Sequence, residues 1–515
     1  MKKKLHTEFY TNQSYFYFGT LISILTMLPQ LMFSPNSTHT LFLAITLLLL
    51  ITIPKFSKIL FSVFIIFINL SNIVIGHIAL HWGYALADIK PRIEVAFLSP
   101  MYESREYIAR YIDYRDYGLA LFSLFVLFLL FKFLRHFTHS YRVFRIIGAG
   151  VFVLILLSVT FYINPIREFE PFSVPCEICT VLDDKEKIDQ IIKAREEYIA
   201  HIAIPKASTK NQLYDKIIIV MGESVNKSHM ALYGYTLPTT PFLSSLQASK
   251  KLYAFNAIAP TNQTRYSIPI DLTDANVHYF EKRYLHSCSI ITHFKANQYD
   301  TYWISNQGSV GKNDSSIASI AYEANTTFYA NVNYLDAKTD EVLLNYLNSL
   351  QPNSKKEMMV LHLMGSHSDY VNRYNKETAL FKNAKNIVEE YDNSIHYSDT
   401  ILSQIFEKFK HQKLLLIYLS DHGENINLEN NGHGFSPSFK DEYTVPFVIY
   451  SSVKNPRLDE IYRDNKKGTF NLENFNSMIQ YISGISNHKN LSYSHDVISV
   501  EPSNIVDFDQ MEFYN

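Results

Sequence analysis

The first third of this 515-residue chain contains five long apolar runs, and they constrain the fold more than any other feature. A membrane-spanning helix needs about 20 mostly apolar residues, within a range of about 17–25. We therefore predict an α-helical membrane bundle over residues 1–163. The predicted spans are Tyr15–Phe33, Thr38–Ile53, Leu60–Leu80, Gly118–Leu134 and Ile146–Ile163.

Basic residues orient this bundle. Lys2–Lys4 precede the first span, Lys55 and Lys58 lie between the second and third, and the stretch Lys132–Arg145 connects the fourth and fifth. Cytoplasmic loops carry an excess of Lys and Arg, so these three regions are predicted to be cytoplasmic. The first span is too long for a cleaved signal peptide. An odd number of spans then places the chain after Ile163 in the periplasm of a bacterial cell.

The cysteines and the net charge restrict the remaining possibilities. Cys176 and Cys179 form a C-x-x-C just after the last span, and Cys288 stands alone. In an oxidising compartment a local disulfide is the simpler interpretation, and a redox motif is the alternative. A formal net charge of −2 gives no reason to expect a nucleic-acid partner.

The chain after the last span divides into a connector over residues 164–215 and an α/β domain over residues 216–515. Lys185–His201 has helical spacing and many charges, which predicts an amphipathic helix on the membrane, on the globular domain, or simply solvated. Short apolar runs then alternate with helical patterns, which predicts a mainly parallel sheet covered on both faces. The predicted strands are Lys216–Met221, Thr301–Ser305, Met358–Met364, Leu414–Ser420 and Val445–Tyr450, and two of the predicted helices are Asp340–Leu350 and Ala384–Phe409.

Two of these predicted strands are followed by residues of the types that bind metal ions. The first is followed by Glu223 and the fourth by Asp421 and His422. In open α/β sheets functional groups gather beyond the carboxyl ends of the strands. Carboxylate oxygen and imidazole nitrogen are ligands that a zinc-like ion prefers. We predict one metal site from the two strand ends; acidic loops after ordinary strands are the alternative.

A catalytic metal site keeps one position for the reacting group. The candidate stretch is Ala259–Pro269, which is rich in hydroxyls and in which we predict a turn followed by a helix start. Thr261, Thr264 and Ser267 all lie within it. The residues alone do not choose between them.

Seven motifs follow one another in an order that resembles a known family. They are Gly222–Ser224, Leu232–Tyr235 with Thr239–Pro241, Thr264 with Ser267–Pro269, Met364–His367, Tyr391–Ile395 with Tyr397 and Asp399, Ser420–Glu424, and Gly432–Gly434. With the five spans, they resemble the phosphoethanolamine transferases of the alkaline phosphatase/sulfatase superfamily over nearly the whole chain. Members of that family are inner-membrane enzymes that modify lipid A or lipopolysaccharide core sugars.

The resemblance implies a sulfatase-like fold for residues 216–515 and a role for each matching residue. The nucleophile it implies is Thr264, three residues before the Ser-x-Pro. The zinc ligands it implies are Glu223, Thr264, Asp421 and His422, with one or two zinc ions bound. The residues it implies for a second metal ion or for the substrate are His367, His433, Asn306, Gln307 and Lys312.

The same resemblance implies a reaction. Phosphatidylethanolamine is the expected donor, a phospho-threonine is the expected intermediate, and lipopolysaccharide is the expected acceptor. Many lipid A-directed members flank the nucleophile with a cysteine pair, whereas Pro260 and Ile270 stand near those positions here. This departure favours a core sugar such as Kdo or heptose, with lipid A still open. A phosphoglycerol transferase and a catalytically inactive membrane-anchored binding protein are the alternatives.

Overall fold

The computed structural model describes Gly118 and residues 193–208, 211–308, 312–330, 339–350, 356–427, 431–435, 437–465, 468–492 and 494–514. The five predicted spans, Gly118 aside, lie outside these residues, as do Cys176 and Cys179. Among the residues that are described, no helix combines the length and the apolar character needed to cross a bilayer.

The described part of the chain after residue 215 is an α/β domain. The strands are β1 (Lys216–Gly222), β2 (Leu252–Ile258), β3 (Asp300–Ser305), β4 (Thr326–Tyr329), β5 (Glu357–His362), β6 (Leu414–Ser420), β7 (Asn425–Ile426), β8 (Asn431–Gly432), β9 (Thr444–Ser451), β10 (Phe470–Asn471), β11 (Asp496–Ile498) and β12 (Ile505–Asp507). The α-helices are α1 (Pro241–Ala248), α2 (Thr264–Leu272), α3 (Phe280–Leu285), α4 (Ile290–Ala296), α5 (Lys312–Ala321), α6 (Glu341–Ser349), α7 (Ile387–Phe409), α8 (Pro456–Asn465) and α9 (Phe475–Ser483).

One large sheet organises this domain. Its strand order is β10-β2-β9-β6-β1-β5-β3-β4, and the five strands from β6 to β4 are all parallel. Strand β9 runs antiparallel to both of its neighbours, β6 and β2. The prediction of a mainly parallel sheet is therefore confirmed. Two small sheets, β7-β8 and β11-β12, lie outside it.

Both faces of the large sheet are buried. In β1, Ile217, Ile219 and Met221 face one apolar core, while Ile218 and Val220 face the other. Successive side chains of a strand point to opposite faces, so a strand covered on both sides reads as a continuous apolar run. Helices α2, α4, α5, α8 and α9 contribute to the first core, and α1, α6 and α7 to the second.

The five predicted strands match β1, β3, β5, β6 and β9, whereas the other seven of the twelve strands in the described residues were missed. Of those seven, β2 and β4 are the ones longer than three residues. Strand β2 carries Asn256 within its apolar residues and is partly exposed, so it lacks the continuous apolar run of the others. Strand β4 has only four residues and ends the sheet. The predicted helix from residue 384 begins at Ile387 because Asn386 caps it, its side chain accepting from the backbone N–H of Glu389.

The described part of the connector contains a helix over residues 193–201 that packs on the globular domain. Arg195 of this helix is almost fully buried. Its guanidinium donates to the carbonyl oxygens of Tyr284 and Ser287 and pairs with Glu323 at 2.6 Å. The sequence left three placements open for this helix: on the membrane, on the globular domain, or in solvent. Residues 193–201 lie on the globular domain.

We predict that Asp399 makes the stability of this domain fall as the pH rises. Its carboxylate accepts from the first backbone N–H groups of α1, those of Phe242 and Leu243, and burial raises its pKa to about 7. An unfolded Asp titrates near pH ~4, so this stability is present below that pH and is lost as the pH rises towards 7. Between pH 5 and 7.5, the unfolding temperature of Asp399→Asn should fall less than that of the wild type, by about 2–4 °C.

Thermal unfolding of the purified protein checks this expectation. Asp459→Asn is the matched control, because Asp459 accepts from the Tyr253 hydroxyl elsewhere in the domain. Identical pH slopes for Asp399→Asn and the wild type would contradict the assignment.

Candidate active site

The ends of β1 and β6 bring the predicted metal ligands to one edge of the sheet. The two strands are parallel neighbours, and their register pairs Gly222 with Ser420. Glu223 and Asp421 each come directly after these paired residues. The carboxylate of Asp421 accepts from the backbone N–H of Ser224 at 3.3 Å and from that of His422 at 2.8 Å. Residues about two hundred positions apart are therefore fixed beside each other by strand pairing.

Four side chains meet at this edge. Thr264 Oγ1 lies 3.2 Å from Glu223 Oε2 and 3.1 Å from His422 Nε2. His422 Nε2 lies 3.2 Å from Glu223 Oε1 and 3.5 Å from Asp421 Oδ2. Glu223, Asp421 and His422 are almost completely buried. The structure thus gathers the four residues that the sequence analysis assigned to the zinc site.

The start of α2 determines which hydroxyl reaches Glu223, Asp421 and His422, which together form the cluster. Thr264 is the first residue of this helix, after an extended Gln263. The Thr261 hydroxyl instead accepts from the backbone N–H of Gln263, and the Ser267 hydroxyl donates to the Thr261 carbonyl. Of these three hydroxyls, Thr264 is the one in contact with Glu223 and His422.

The cluster concentrates charge away from water. Burial raises the pKa of Glu223, but His422 more than offsets this and leaves the pKa well below its usual range. Burial and the charge of Glu223 raise the pKa of Asp421 to about 8. Burial lowers the pKa of His422, whereas Asp421 and Glu223 raise it to about 10. Two carboxylates buried this close together are stable only when a positive charge lies between them.

The donor set fits a divalent metal ion. His422 Nδ1 lies 2.8 Å from the Gly423 carbonyl oxygen, so Nδ1 carries a proton and Nε2 of a neutral ring turns its lone pair towards the carboxylates. Asp421 Oδ2 is buried and has no hydrogen-bond partner among the described residues. Ligand atoms of Glu223, Asp421 and His422 lie within 4.8 Å of one another. Two carboxylates and one imidazole are a ligand set that zinc prefers, and the Thr264 hydroxyl lies beside them.

A second group lies against the first. His433 Nδ1 is 2.6 Å from Glu424 Oε2, and the Tyr370 hydroxyl donates to Glu424 Oε1 at 2.5 Å. The rings of His433 and His422 lie 4.1 Å apart. His422, Glu424 and His433 could also hold a metal ion, because their ligand atoms lie within 4.8 Å of one another. His433 is thus placed beside the cluster, and its predicted role in binding a second metal ion or the substrate remains a prediction.

The turn after β5 carries His367 towards the same edge. Gly365 has a positive φ of 53°, and a Cβ there would lie 2.8 Å from the backbone nitrogen of Glu223. Only glycine allows this close approach without strain. His367 Nδ1 is buried and lacks a hydrogen-bond partner in the described part of the chain. Its predicted role as a second-metal or substrate ligand likewise remains a prediction.

The three polar residues predicted to hold the phosphoryl group are placed differently. Gln307 donates to Glu223 Oε2 at 3.0 Å and therefore touches the cluster. Asn306 donates to Asp340, whose carboxylate also accepts from the backbone N–H groups of Met364 and Gly365. Lys312 is the first residue of α5. Gln307 therefore contacts a predicted metal ligand directly, whereas Asn306 contacts Asp340.

Sequence reasoning missed several residues near the cluster. Asp340 holds the turn that precedes His367, Glu424 pairs with His433, and the Tyr370 hydroxyl donates to Glu424. The residues around Asp340 and Tyr370 give no sequence signal for these partners. Asp271 is buried on α2, without a hydrogen-bond partner among the described residues. Burial and the charge of Asp421 raise its pKa well above the usual range. Its position inside an apolar run, two helical turns after Thr264, was a visible signal.

Comparison with known proteins now identifies the family. The sequence model described as Sulfatase matches residues 215–491, which is more than half of the chain. The chain belongs to the sulfatase family. The matched range contains Glu223, Thr264, Asp421 and His422.

Similar proteins include one named Putative transferase YhbX and one named phosphoethanolamine transferase EptA. YhbX of Escherichia coli K12 is 34% identical over 266 residues, covering 50% of this chain and 47% of its own. Phosphoethanolamine transferase EptA of Helicobacter pylori is 29% identical over 271 residues, covering 47% of this chain and 49% of its own. The aligned part thus spans about half the length of these relatives.

A solved structure shows the same fold. The zinc complex of the C-terminal periplasmic domain of EptC from Escherichia coli has a TM-score of 0.52 and 21% sequence identity, covering 60% of this chain and 98% of its own. The predicted sulfatase-like α/β domain is therefore confirmed as a fold.

We predict that Gly423→Ala displaces the metal ligands. A Cβ at Gly423 would lie 2.1 Å from the carbonyl oxygen of Asp441, so the backbone next to His422 must shift. The variant should lose several degrees of thermal stability and bind zinc at least about tenfold more weakly. Gly468→Ala is the control, since nothing lies within 4 Å of a Cβ there. Equal zinc affinity in the two variants would show that this close approach does not fix the site.

We also predict that the purified protein retains zinc through these carboxylates. Asp421→Asn should lower the zinc content after dialysis to a small fraction of the wild-type value, because it removes a charged ligand from a buried site. Elemental mass spectrometry measures this content, and Asp459→Asn provides the same chemical change away from the cluster. Full zinc retention in Asp421→Asn would rule out the cluster as the metal site.

Proposed function

We propose that this protein transfers phosphoethanolamine from phosphatidylethanolamine to lipopolysaccharide, with Thr264 as the nucleophile. The observation that carries the proposal is the position of Thr264 Oγ1, 3.1 Å from His422 Nε2 and 3.2 Å from Glu223 Oε2. Nucleophile and activating groups within such distances are typical of covalent catalysis. The names of relatives such as EptA support the choice of phosphoethanolamine as the transferred group.

Each side chain has a defined part in this reaction. Glu223, Asp421 and His422 would hold a zinc ion, which would supply Lewis-acid chemistry that lowers the pKa of the neighbouring Thr264 alcohol. The Thr264 hydroxyl gives up its proton and its oxygen attacks the phosphorus of the donor. The bond from phosphorus to the diacylglycerol oxygen breaks, and that oxygen takes up a proton as it leaves. The result is phosphoethanolamine esterified to Thr264. An acceptor oxygen then attacks the same phosphorus, and the Thr264 oxygen is released and protonated.

The neighbouring residues orient the transferred group. Gln307 holds Glu223 in place through a hydrogen bond of 3.0 Å. His367 and His433 lie beside the cluster and are proposed to contact the phosphoryl oxygens, together with Asn306 and Lys312. Positioned donors around a phosphoryl group stabilise the charge that develops during transfer.

We further propose that residues 1–163 anchor the protein in the bacterial inner membrane and that residues 216–515 form a periplasmic catalytic domain, with residues 164–215 between them. The long apolar runs and the placement of Lys and Arg support this topology. Donor and acceptor are both lipids, so an anchored enzyme meets them within the leaflet. A core sugar such as Kdo or heptose is the favoured acceptor, and lipid A is the other candidate.

Replacement of the nucleophile tests the proposal. Thr264→Ala should reduce transfer by at least about 10³-fold, whereas Thr264→Ser should retain measurable transfer because it keeps the hydroxyl. Transfer from labelled phosphatidylethanolamine to lipopolysaccharide is followed by mass spectrometry, which also locates the added group on core or lipid A. Wild-type transfer rates in Thr264→Ala would exclude Thr264 as the nucleophile, and absence of transfer by the wild type would refute the proposed activity.

A further inference from the structure

The turn Lys440–Glu442, directly before β9, contacts four chain segments that surround the cluster. Glu442 is completely buried in this turn. We infer that Glu442 is a positioning residue that fixes the segments of Thr264, His433 and the Asp421–His422 pair relative to one another. The inference rests on the proposed function and assigns it a further residue.

The first contact reaches the nucleophile segment. Glu442 Oε2 accepts from Asn262 Nδ2 at 2.8 Å, and Asn262 lies two residues before Thr264. The other side of the same amide is also fixed, because Asn262 Oδ1 accepts from the backbone N–H of Val500 at 3.0 Å. Asn262 is fully buried. The start of α2 is therefore tied to Glu442 through a side chain with one available orientation.

The second contact reaches the His433 segment. Glu442 Oε2 also accepts from the backbone N–H of Phe435 at 3.0 Å, and Oε1 accepts from that of Phe439 at 2.8 Å. A Cβ at Gly434, which has a φ of 71°, would lie 3.3 Å from Gln263 Nε2. The loop that carries His433 therefore packs against the residue preceding Thr264.

The third contact reaches the metal-ligand segment. The backbone N–H of Gly423 donates to the Glu442 carbonyl oxygen at 2.7 Å, one residue after His422. Asp441 extends the same turn to the end of β1, since its Oδ1 accepts from Asn226 Nδ2 at 3.0 Å. Asn226 lies three residues after Glu223. One turn thus joins segments that the chain keeps about two hundred residues apart.

The chemistry of the position requires a carboxylate. Three donors converge on two oxygens, and no donor is needed from residue 442 itself. Glutamine keeps one oxygen and turns an N–H₂ group towards a donor, while alanine leaves all three donors unsatisfied in a buried place. Because Glu442 holds backbone and amide groups next to the cluster, it acts on the reaction through the placement of other residues.

Three variants of the full-length protein test this role: Glu442→Ala, Glu442→Gln and the control Glu357→Gln. Glu357 is also a buried glutamate, but it pairs with Lys216 at the opposite edge of the sheet. Hydrogen–deuterium exchange is measured on peptides covering residues 261–266, 421–424 and 433–437, with peptides from α7 as the internal reference. Turnover is measured in parallel, with kcat separated from the KM for phosphatidylethanolamine.

In Glu442→Ala, exchange should accelerate in the peptides 261–266 and 433–437, which lose hydrogen bonds to the side chain, and stay unchanged in α7. The peptide 421–424 should change less, because the backbone carbonyl that accepts from Gly423 remains. The kcat should fall at least about tenfold while KM changes by less than about twofold, because misplaced groups weaken the reacting geometry more than binding. Glu442→Gln should lie between Glu442→Ala and the wild type, and Glu357→Gln should leave both readouts unchanged.

The inference is overturned if exchange changes only within residues 439–442, or if Glu442→Ala keeps the wild-type kcat. The exchange measurement needs no turnover and so decides the positioning role by itself. A wild type without transfer activity would refute the proposed function separately.

Discussion

Two carboxylates buried beside an imidazole are the constraint on which the rest of this structure depends. Glu223 and Asp421 lie where water cannot solvate them, and their charges raise the pKa of His422 to about 10. Such a group is stable only with a cation between the oxygens or a proton on the ring. The hydroxyl of Thr264 is held at the same point. A divalent cation bound at this point would balance the charge of the two carboxylates and would also lower the pKa of the Thr264 hydroxyl.

The pairing of strands in the large sheet makes this arrangement of side chains rigid. Parallel pairing of β1 with β6 sets the two ligand segments side by side, and glycines allow the surrounding backbones to approach. Gly365 packs on Glu223, and Gly423 packs on Asp441. Helix α2 then brings Thr264 from a third segment. Because each group sits on a strand end or a helix start, its position is fixed by the packed cores on both faces of the sheet.

The sequence predicts this site better than it predicts what supports it. Continuous apolar runs locate β1, β5 and β6, since strands buried on both faces admit few polar residues, and the residues that follow them reveal Glu223, Asp421 and His422. The partly exposed β2 and the short β4 lack that signal. Glu442 and Asp340 act through hydrogen bonds to distant backbone N–H groups, and nothing in their neighbouring residues indicates those partners. The choice of Thr264 over Thr261 came from a resemblance, and the geometry of the helix start gives its physical reason.

Transfer of phosphoethanolamine through the Thr264 oxygen, from donor to acceptor, is the step on which the proposed function depends. It is tested most directly by incubating the full-length protein with phosphatidylethanolamine in the absence of acceptor, followed by acid quenching, proteolysis and tandem mass spectrometry. We expect one added phosphoethanolamine group, located on Thr264 and lost when acceptor is supplied. A group located on another residue, or transfer that proceeds with Thr264 unmodified throughout, would contradict it.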